Sequence, residues 1–172
     1  VVLAGSRLSR AAPGATAAGA VARGRHALRT VGRLAYHDTT NPFEVFMRQP
    51  IQSPDAPAAI GIYSQAMRSQ GFLYLSGQTP LDPATGALVP GGIEAQIHQV
   101  FRNLQAVAVA AGRSLDDAVK VQVYLTDMAD FPKLNEIMAG YFRQPWPART
   151  TVQVAGLPRG AAVEVDAILA DG

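Results

Sequence analysis

Between Ile93 and Leu125 the apolar residues change period, and that change limits the fold more than any other feature of the chain. Ile93, Ile97, Val100, Phe101, Leu104, Val107, Ala108 and Ala111 recur every three or four residues. That spacing lines one face of a helix. Gly91-Gly92 precede it and Gly112 ends it, as expected where a helix stops in a left-handed residue. Ser114-Leu115-Asp116-Asp117 then has the chemistry to cap one short turn. Directly afterwards Val119, Val121, Val123 and Leu125 alternate with Lys120, Gln122 and Tyr124. Alternation is the pattern of a half-buried strand. A long amphipathic helix feeding at once into a strand is too mixed a pattern for a helical bundle.

The flanks extend this pattern. Pro50, Pro54 and Pro57 keep the entry extended. Tyr63–Arg68 and Phe72–Gly77 are two short runs separated by Ser69-Gln70-Gly71, which predicts a hairpin with a three-residue loop. Leu81 to Gly86 carries turn residues. Asp130 is placed to cap a second helix, with Pro132 tolerated in its first turn. Phe131, Leu134, Ile137, Met138, Tyr141 and Phe142 form its apolar face, and Pro145 and Pro147 end it. The last strands are expected at Thr150–Ala155 and Ala162–Ala170. The order is two strands, helix, strand, helix, two strands. The fold expected is α+β: one sheet with two helices on one face.

The chain has 172 residues, enough for one domain with an appendage. It contains no cysteine, which excludes disulfides, cysteine zinc sites and thiol nucleophiles. No apolar run approaches the roughly 18 residues of a membrane helix. Charge is uneven. Six of the 15 basic residues and two of the 13 acids lie in residues 1–46. Residues 47–172 therefore hold nine bases against eleven acids, a net charge of −2. That portion lacks the basic footprint of a nucleic-acid binder. Residues 1–36 are rich in Ala, Gly, Arg and Ser and hold no acid, a composition like an organelle transit peptide. Equally, Met47 could be the natural start, with everything upstream over-extended translation. On either reading residues 1–46 are expected to be poorly ordered and residues 47–172 to form a single domain.

The candidates for chemistry are few. His98 is the one histidine of residues 47–172 and falls between apolar helix positions, so it is read as a solvated side chain. A Ser-His-Asp triad and a histidine metal site then lack their parts. Phosphate-loop and dinucleotide motifs do not occur. Arg149 follows two prolines and enters a strand. Its planar fork suits a carboxylate, although an arginine paired to a surface acid at a strand edge looks the same in sequence. Glu164 and Asp166 share one strand face with Ile168, and carboxylates there need solvent, an arginine or a partner subunit. Asn135 sits at the margin of the second helix's apolar stripe, where its amide either bonds a loop or holds a ligand. Tyr63, Ser76 and Gly77 belong to the first hairpin. They can be a core tyrosine and an ordinary strand end, or the wall of a site to which Gly77 admits close backbone approach.

Taken together, the runs resemble the Rid family, the reactive intermediate imine/enamine deaminases also called the YjgF family. The matching residues are Ala56 to Ala66, Leu75-Ser76-Gly77-Gln78-Thr79-Pro80-Leu81-Asp82-Pro83, Asn103-Leu104, Ala111-Gly112, and Val123 to Met128. They continue with Phe131, Asn135, Tyr141-Phe142, Pro147-Ala148-Arg149-Thr150, Leu157 to Ala161, and Val163-Glu164-Val165. The resemblance spans essentially all of residues 50–170. It implies a chorismate-mutase-like α+β fold and a homotrimer with clefts between subunits. It also implies hydrolysis of 2-enamino and 2-imino acids to 2-keto acids and ammonia, without metal or cofactor. By that resemblance Arg149 binds the substrate carboxylate, Glu164 places the attacking water, and Tyr63 and Asn135 position the substrate. Ser76 and Gly77 then line the cleft. Two positions depart from the pattern: Ile62 replaces a usual proline and Thr151 a common cysteine.

The alternative from a different class is a non-catalytic trimer that binds small carboxylates in the same cleft, as a sensor or chaperone. RNA cleavage, also linked to the family, is opposed by the charge and by the lack of a histidine pair. The expected location is cytoplasmic, or mitochondrial or plastid if residues 1–46 are a transit peptide; no membrane association is expected.

Overall fold

The computed structural model describes residues 48–172; the expected extension, residues 1–46, lies outside the described residues. Strands β1 (Gln49–Ile51), β2 (Ala66–Ser69) and β3 (Phe72–Gln78) come first, then helix α1 (Ile93–Ala110). Strand β4 (Ala118–Leu125), helix α2 (Phe131–Met138) and strands β5 (Ala148–Gln153) and β6 (Val163–Ala170) follow. They build one mixed six-stranded sheet in the order β1-β2-β3-β6-β4-β5 with two helices, the architecture expected. Among the described strands, only β4 and β5 pair in parallel.

The helices cover one sheet face. Leu73, Val121, Leu125, Val163 and Leu169 from the strands meet Ile97, Val100, Phe101, Leu104 and Leu134, all fully buried. The alternation expected along β6 holds: Val163, Val165, Ala167 and Leu169 are buried, while Glu164, Asp166 and Ile168 turn to the other face. That face is uncovered in the single chain, and Phe72 and Tyr74 stand on it exposed.

Several local expectations are corrected. The hairpin turn has two residues, not three, because Ser69 pairs with Phe72. Gln70 and Gly71 both take positive φ, 52° and 76°, the geometry whose twist matches that of the flanking strands. Strand β2 begins at Ala66 instead of Tyr63, leaving Tyr63 in the preceding loop. Pro50 lies within β1, where an edge position tolerates its missing N–H. Val119 is exposed, because the β4–β6 register shifts between Ala118 and Lys120.

Helix α2 ends at Met138, so Tyr141 and Phe142 pack on Phe101 from the segment beyond it. Asp130 makes no side-chain cap; Asp127 instead accepts from Ala129 N at 2.8 Å in the turn before α2. His98 is half-buried and not solvated, with Nδ1 2.9 Å from the Tyr141 hydroxyl. Strand β5 starts two residues earlier than expected, which puts Arg149 inside the strand.

Candidate functional site

The proposed site residues fall into two groups on one chain. The first surrounds Glu164. Strand β3 carries one extra residue against β6: Leu75 pairs with Ala167, but Gln78 pairs with Val165. Such a bulge bends the strand locally and re-aims its side chains. It falls on Ser76 and Gly77, and brings the Gly77 backbone against the Glu164 carboxylate. Ser76 ties the preceding loop to β3, donating from N to Gln65 O at 3.0 Å and from Oγ to Ser64 O at 2.7 Å. Tyr63, about half exposed, stands beside this point. A cavity of about 330 Å³ opens among Pro57, Ile60, Tyr63, Ser76, Gly77, Leu81 and Glu164.

One buried side chain of α1 holds a wall of that cavity, and a second ties down the approach to β6. Asn103, 1% exposed, donates to Thr79 O and Leu81 O at 3.1 and 2.9 Å. Gln96 accepts from Ala162 N at 2.8 Å, next to the start of β6. Burial raises the Glu164 carboxyl above the ordinary glutamate range, and the neighbouring Asp166 charge adds to the rise. Asp166 itself accepts from Gln122 Nε2 at 3.0 Å and from the Tyr124 hydroxyl at 3.1 Å. The compensation expected for these two acids therefore reaches Asp166 from side chains of β4.

The second group surrounds Arg149. Its guanidinium donates from Nη1 to Asn135 Oδ1 at 2.7 Å and to Met138 Sδ at 3.4 Å. It also lies 5.2 Å from the Phe131 ring centre. Phe131, Asn135 and Met138 recur every three or four residues along α2, so one helix face supplies all three contacts. Among the described residues, the hydrogen bonds of Arg149 use Nη1 alone, and Nε and Nη2 have no hydrogen-bond partner. A cavity of about 350 Å³ adjoins it, lined by Asn135, Met138, Ala139, Trp146, Pro147 and Arg149.

The two groups do not converge within one chain. Arg149 is registered with Val121, and Glu164 with Tyr124. Val121 and Tyr124 are three apart on β4 and so point to opposite sheet faces. Arg149 lies on the helix side at the open β5 edge, and Glu164 on the uncovered side.

Sequence reasoning missed three residues of these cavities. Met138 is in the core as expected, and its sulfur also contacts Arg149. Trp146, 52% exposed, carried no pattern of its own, although an exposed tryptophan between two prolines is itself a signal. Arg159 has positive φ, 56°, lines the Glu164 cavity and donates to Gly86 O at 3.0 Å. Among the described residues no cluster of His, Cys, Asp or Glu has the makings of a metal site. No described helix is long and apolar enough to cross a membrane.

The class defined by this fold and geometry is an α+β domain with an arginine-lined cavity and a glutamate-lined cavity on opposite faces of one sheet. The family model described as Endoribonuclease L-PSP matches residues 53–170. A mouse protein named 2-iminobutanoate/2-iminopropanoate deaminase is 47% identical over 126 residues, covering 73% of this chain and 93% of its own. A RutC family protein of Pyrococcus horikoshii is 48% identical over 122 residues, covering 71% of this chain and 97% of its own. The crystal structure of RidA from the Antarctic bacterium Psychrobacter sp. superposes with a TM-score of 0.69 at 49% identity, covering 71% of this chain and 98% of that one. The chain belongs to the Rid (YjgF) family.

Proposed function

We propose that this protein hydrolyses small 2-imino and 2-enamino acids to 2-keto acids and ammonia, at a site assembled between copies of the chain in a homotrimer. The observation that carries the reading is Arg149. An arginine bonded through one nitrogen to Asn135 and Met138, with its guanidinium carbon over the Phe131 ring, offers its remaining fork to a carboxylate with little further loss of freedom. The names of the mouse and rat relatives agree with this substrate class.

The chemistry needs modest help. Arg149 grips the substrate carboxylate and Asn135 keeps that arginine in place. Glu164 takes a proton from water as its oxygen bonds to C2 and returns it to nitrogen; as the C–N bond breaks, the C2 hydroxyl becomes the keto group and its proton passes through Glu164 to the departing ammonia. One iminium acid and one water give one keto acid and one ammonium ion. A carboxyl raised above its ordinary range suits a group that must both accept and release a proton near neutrality. Tyr63 and the backbone at Ser76-Gly77 shape the pocket around the reacting carbon. This chemistry draws on side chains and water alone.

Because Arg149 and Glu164 face opposite ways on one chain, each complete site takes its arginine from one copy and its acid from another. Mixing tests this. Arg149→Ala and Glu164→Gln proteins, each inactive alone on freshly generated iminopropanoate, are unfolded together and refolded at equal concentration. Random assembly restores activity to about one quarter of wild type, because one pairing in four joins an intact arginine to an intact acid. Failure of the mixture to regain activity, with mixed trimers formed, would place both groups in one chain's site and overturn the reading.

A further inference from the structure

The loop between β1 and β2 runs six consecutive exposed residues, Ala58 to Tyr63. Ile60 is 66% exposed, and Ile62 is fully exposed. A segment this open has few contacts of its own to fix it. Its fixed points lie at its base, where Ser53, Ala56 and Gln65 are each 3% exposed.

Gln65 gathers that base through one side chain. Its Oε1 accepts from Ser53 N at 2.6 Å. Its Nε2 lies 2.8 Å from Pro57 O and 3.2 Å from both Ser53 O and Ala56 O. Two N–H groups are thus shared among three carbonyls, and four backbone groups of the outgoing limb are satisfied by a single carboxamide. The returning limb is fixed at the same place, because Ser76 N donates to Gln65 O. Both limbs therefore meet on one buried residue, two positions from Tyr63. A carboxamide suits this point. It presents an acceptor and two donors on one plane without bringing a charge into a buried setting.

We propose that Gln65 is a positioning residue of the Glu164 pocket, one that sets the loop and so places Tyr63 at the rim. The inference rests on the deaminase reading above and adds to it a residue that does not itself touch the pocket. Gln65 acts through the loop and not through the sheet.

The test uses the full chain and two variants. Gln65→Met keeps length and loses every bond of the carboxamide. Gln65→Glu keeps an acceptor for Ser53 N and loses the donors to the three carbonyls. Hydrogen exchange of the Ser53 and Asp55 amides, which are bonded at the base of the loop, should accelerate at least about tenfold in both, with the Leu73 and Leu75 amides of β3 unchanged. The value of kcat/KM on iminopropanoate should fall about tenfold or more, as displaced positioning groups cost. On a Tyr63→Ala background the same substitutions should cost less than about twofold, because the group being positioned is already gone.

An undiminished cost on that background overturns the proposal, as does unchanged exchange at the base of the loop. Acceleration at Leu73 and Leu75 equal to that at the base also overturns it, since Gln65 would then hold the sheet. If Gln65→Met does not fold, Gln65→Glu carries all three measurements; failure of both to fold counts as the last outcome. A wild-type protein with no turnover would instead refute the deaminase reading, and the exchange measurement would still decide what Gln65 holds.

Discussion

Gly77 and Glu164 occupy each other's space: a Cβ at Gly77 would overlap the Glu164 Oε1 atom and come within 2.9 Å of Cδ. The glycine is thus needed by the acid lying across the bulge. Its φ is not in the positive range, so conformational freedom is not the reason. Where a Gly in a strand marks close approach, the approaching group here is a side chain of the same chain.

Gly77→Ala therefore tests the site without testing the fold. The obstructing atoms are the far end of a flexible side chain, which can swing aside at small energetic cost. Thermal stability should change by less than about 1 kcal/mol. Turnover should fall about a hundredfold, the scale of loss for a displaced proton-transfer group. Calorimetry and steady-state kinetics on iminopropanoate check both halves. Lost stability with retained turnover would show that Glu164 is not the acting group.

Arg149→Lys keeps the charge and loses the fork. A charge-assisted hydrogen bond is worth about 1.5–3 kcal/mol, so kcat/KM should fall about tenfold to a hundredfold. Arg149→Ala should cost more. Because Arg149 is exposed in the single chain, the melting temperature of either variant should stay near wild type. Trimer formation, followed by sedimentation, should be unaffected in Arg149→Lys. An Arg149→Ala protein that kept full activity while losing its assembly would make Arg149 an interface residue instead.

Glu164 gives the pH dependence a definite sign. Burial first, then Asp166, holds its carboxyl above the ordinary glutamate range, so the folded protein binds that proton more tightly than the unfolded chain does. Its contribution favours folding at pH below the ordinary value of about 4.3 and is lost as pH rises through the folded value. Glu164→Gln should thus be more stable than wild type at neutral pH, with the difference closing towards about pH 4. The acid limb of the wild-type kcat/KM profile should lie above that of an ordinary glutamate, and Asp166→Asn should move it down. A limb unmoved by Asp166→Asn would assign it to another group.

The chain's last strand is held by an ion cluster whose sign is opposite. Arg113 Nε donates to Asp171 Oδ1 at 2.7 Å and Arg68 Nε to Oδ2, with Arg68 also reaching Ala111 O at 2.6 Å. The Arg113 bond, then the Arg68 bond and both charges, outweigh burial and hold the Asp171 carboxyl below the ordinary aspartate range. That stability is present above the ordinary value of about 3.9 and is lost as pH falls through the lower folded value. Asp171→Asn should cost about 1.5–3 kcal/mol at pH 7, read from denaturant unfolding, and progressively less below about pH 4. An equal cost at pH 7 and pH 3 would show that packing, and not the ion cluster, is what the residue supplies.

What the sequence determined by itself is whatever depends on neighbours within a turn or two. The stripe from Ile93 to Ala111 could only be one helix face, and the alternation from Val163 to Leu169 could only separate two sheet faces. Both are visible because side-chain direction repeats with the local backbone. The turn at Gln70-Gly71 and the start of β2 were misplaced by one and three residues, and the end of α2 by at least four, since several backbone choices there fit the same residue types. The proposed site residues came from motif resemblance, which said nothing of how they group within one chain. Asn135 and Met138 differ little in helical pattern, and only contact with Arg149 gives them a common purpose. Gln65 and Asn103 look like ordinary polar residues until the loops they bond fold over them. Tertiary structure alone decided that β5 pairs in parallel with β4, and hence that Arg149 and Glu164 look out from opposite faces. Strand order and register arise from contacts between segments distant in sequence, and a shift of a single residue would reverse which face each side chain occupies.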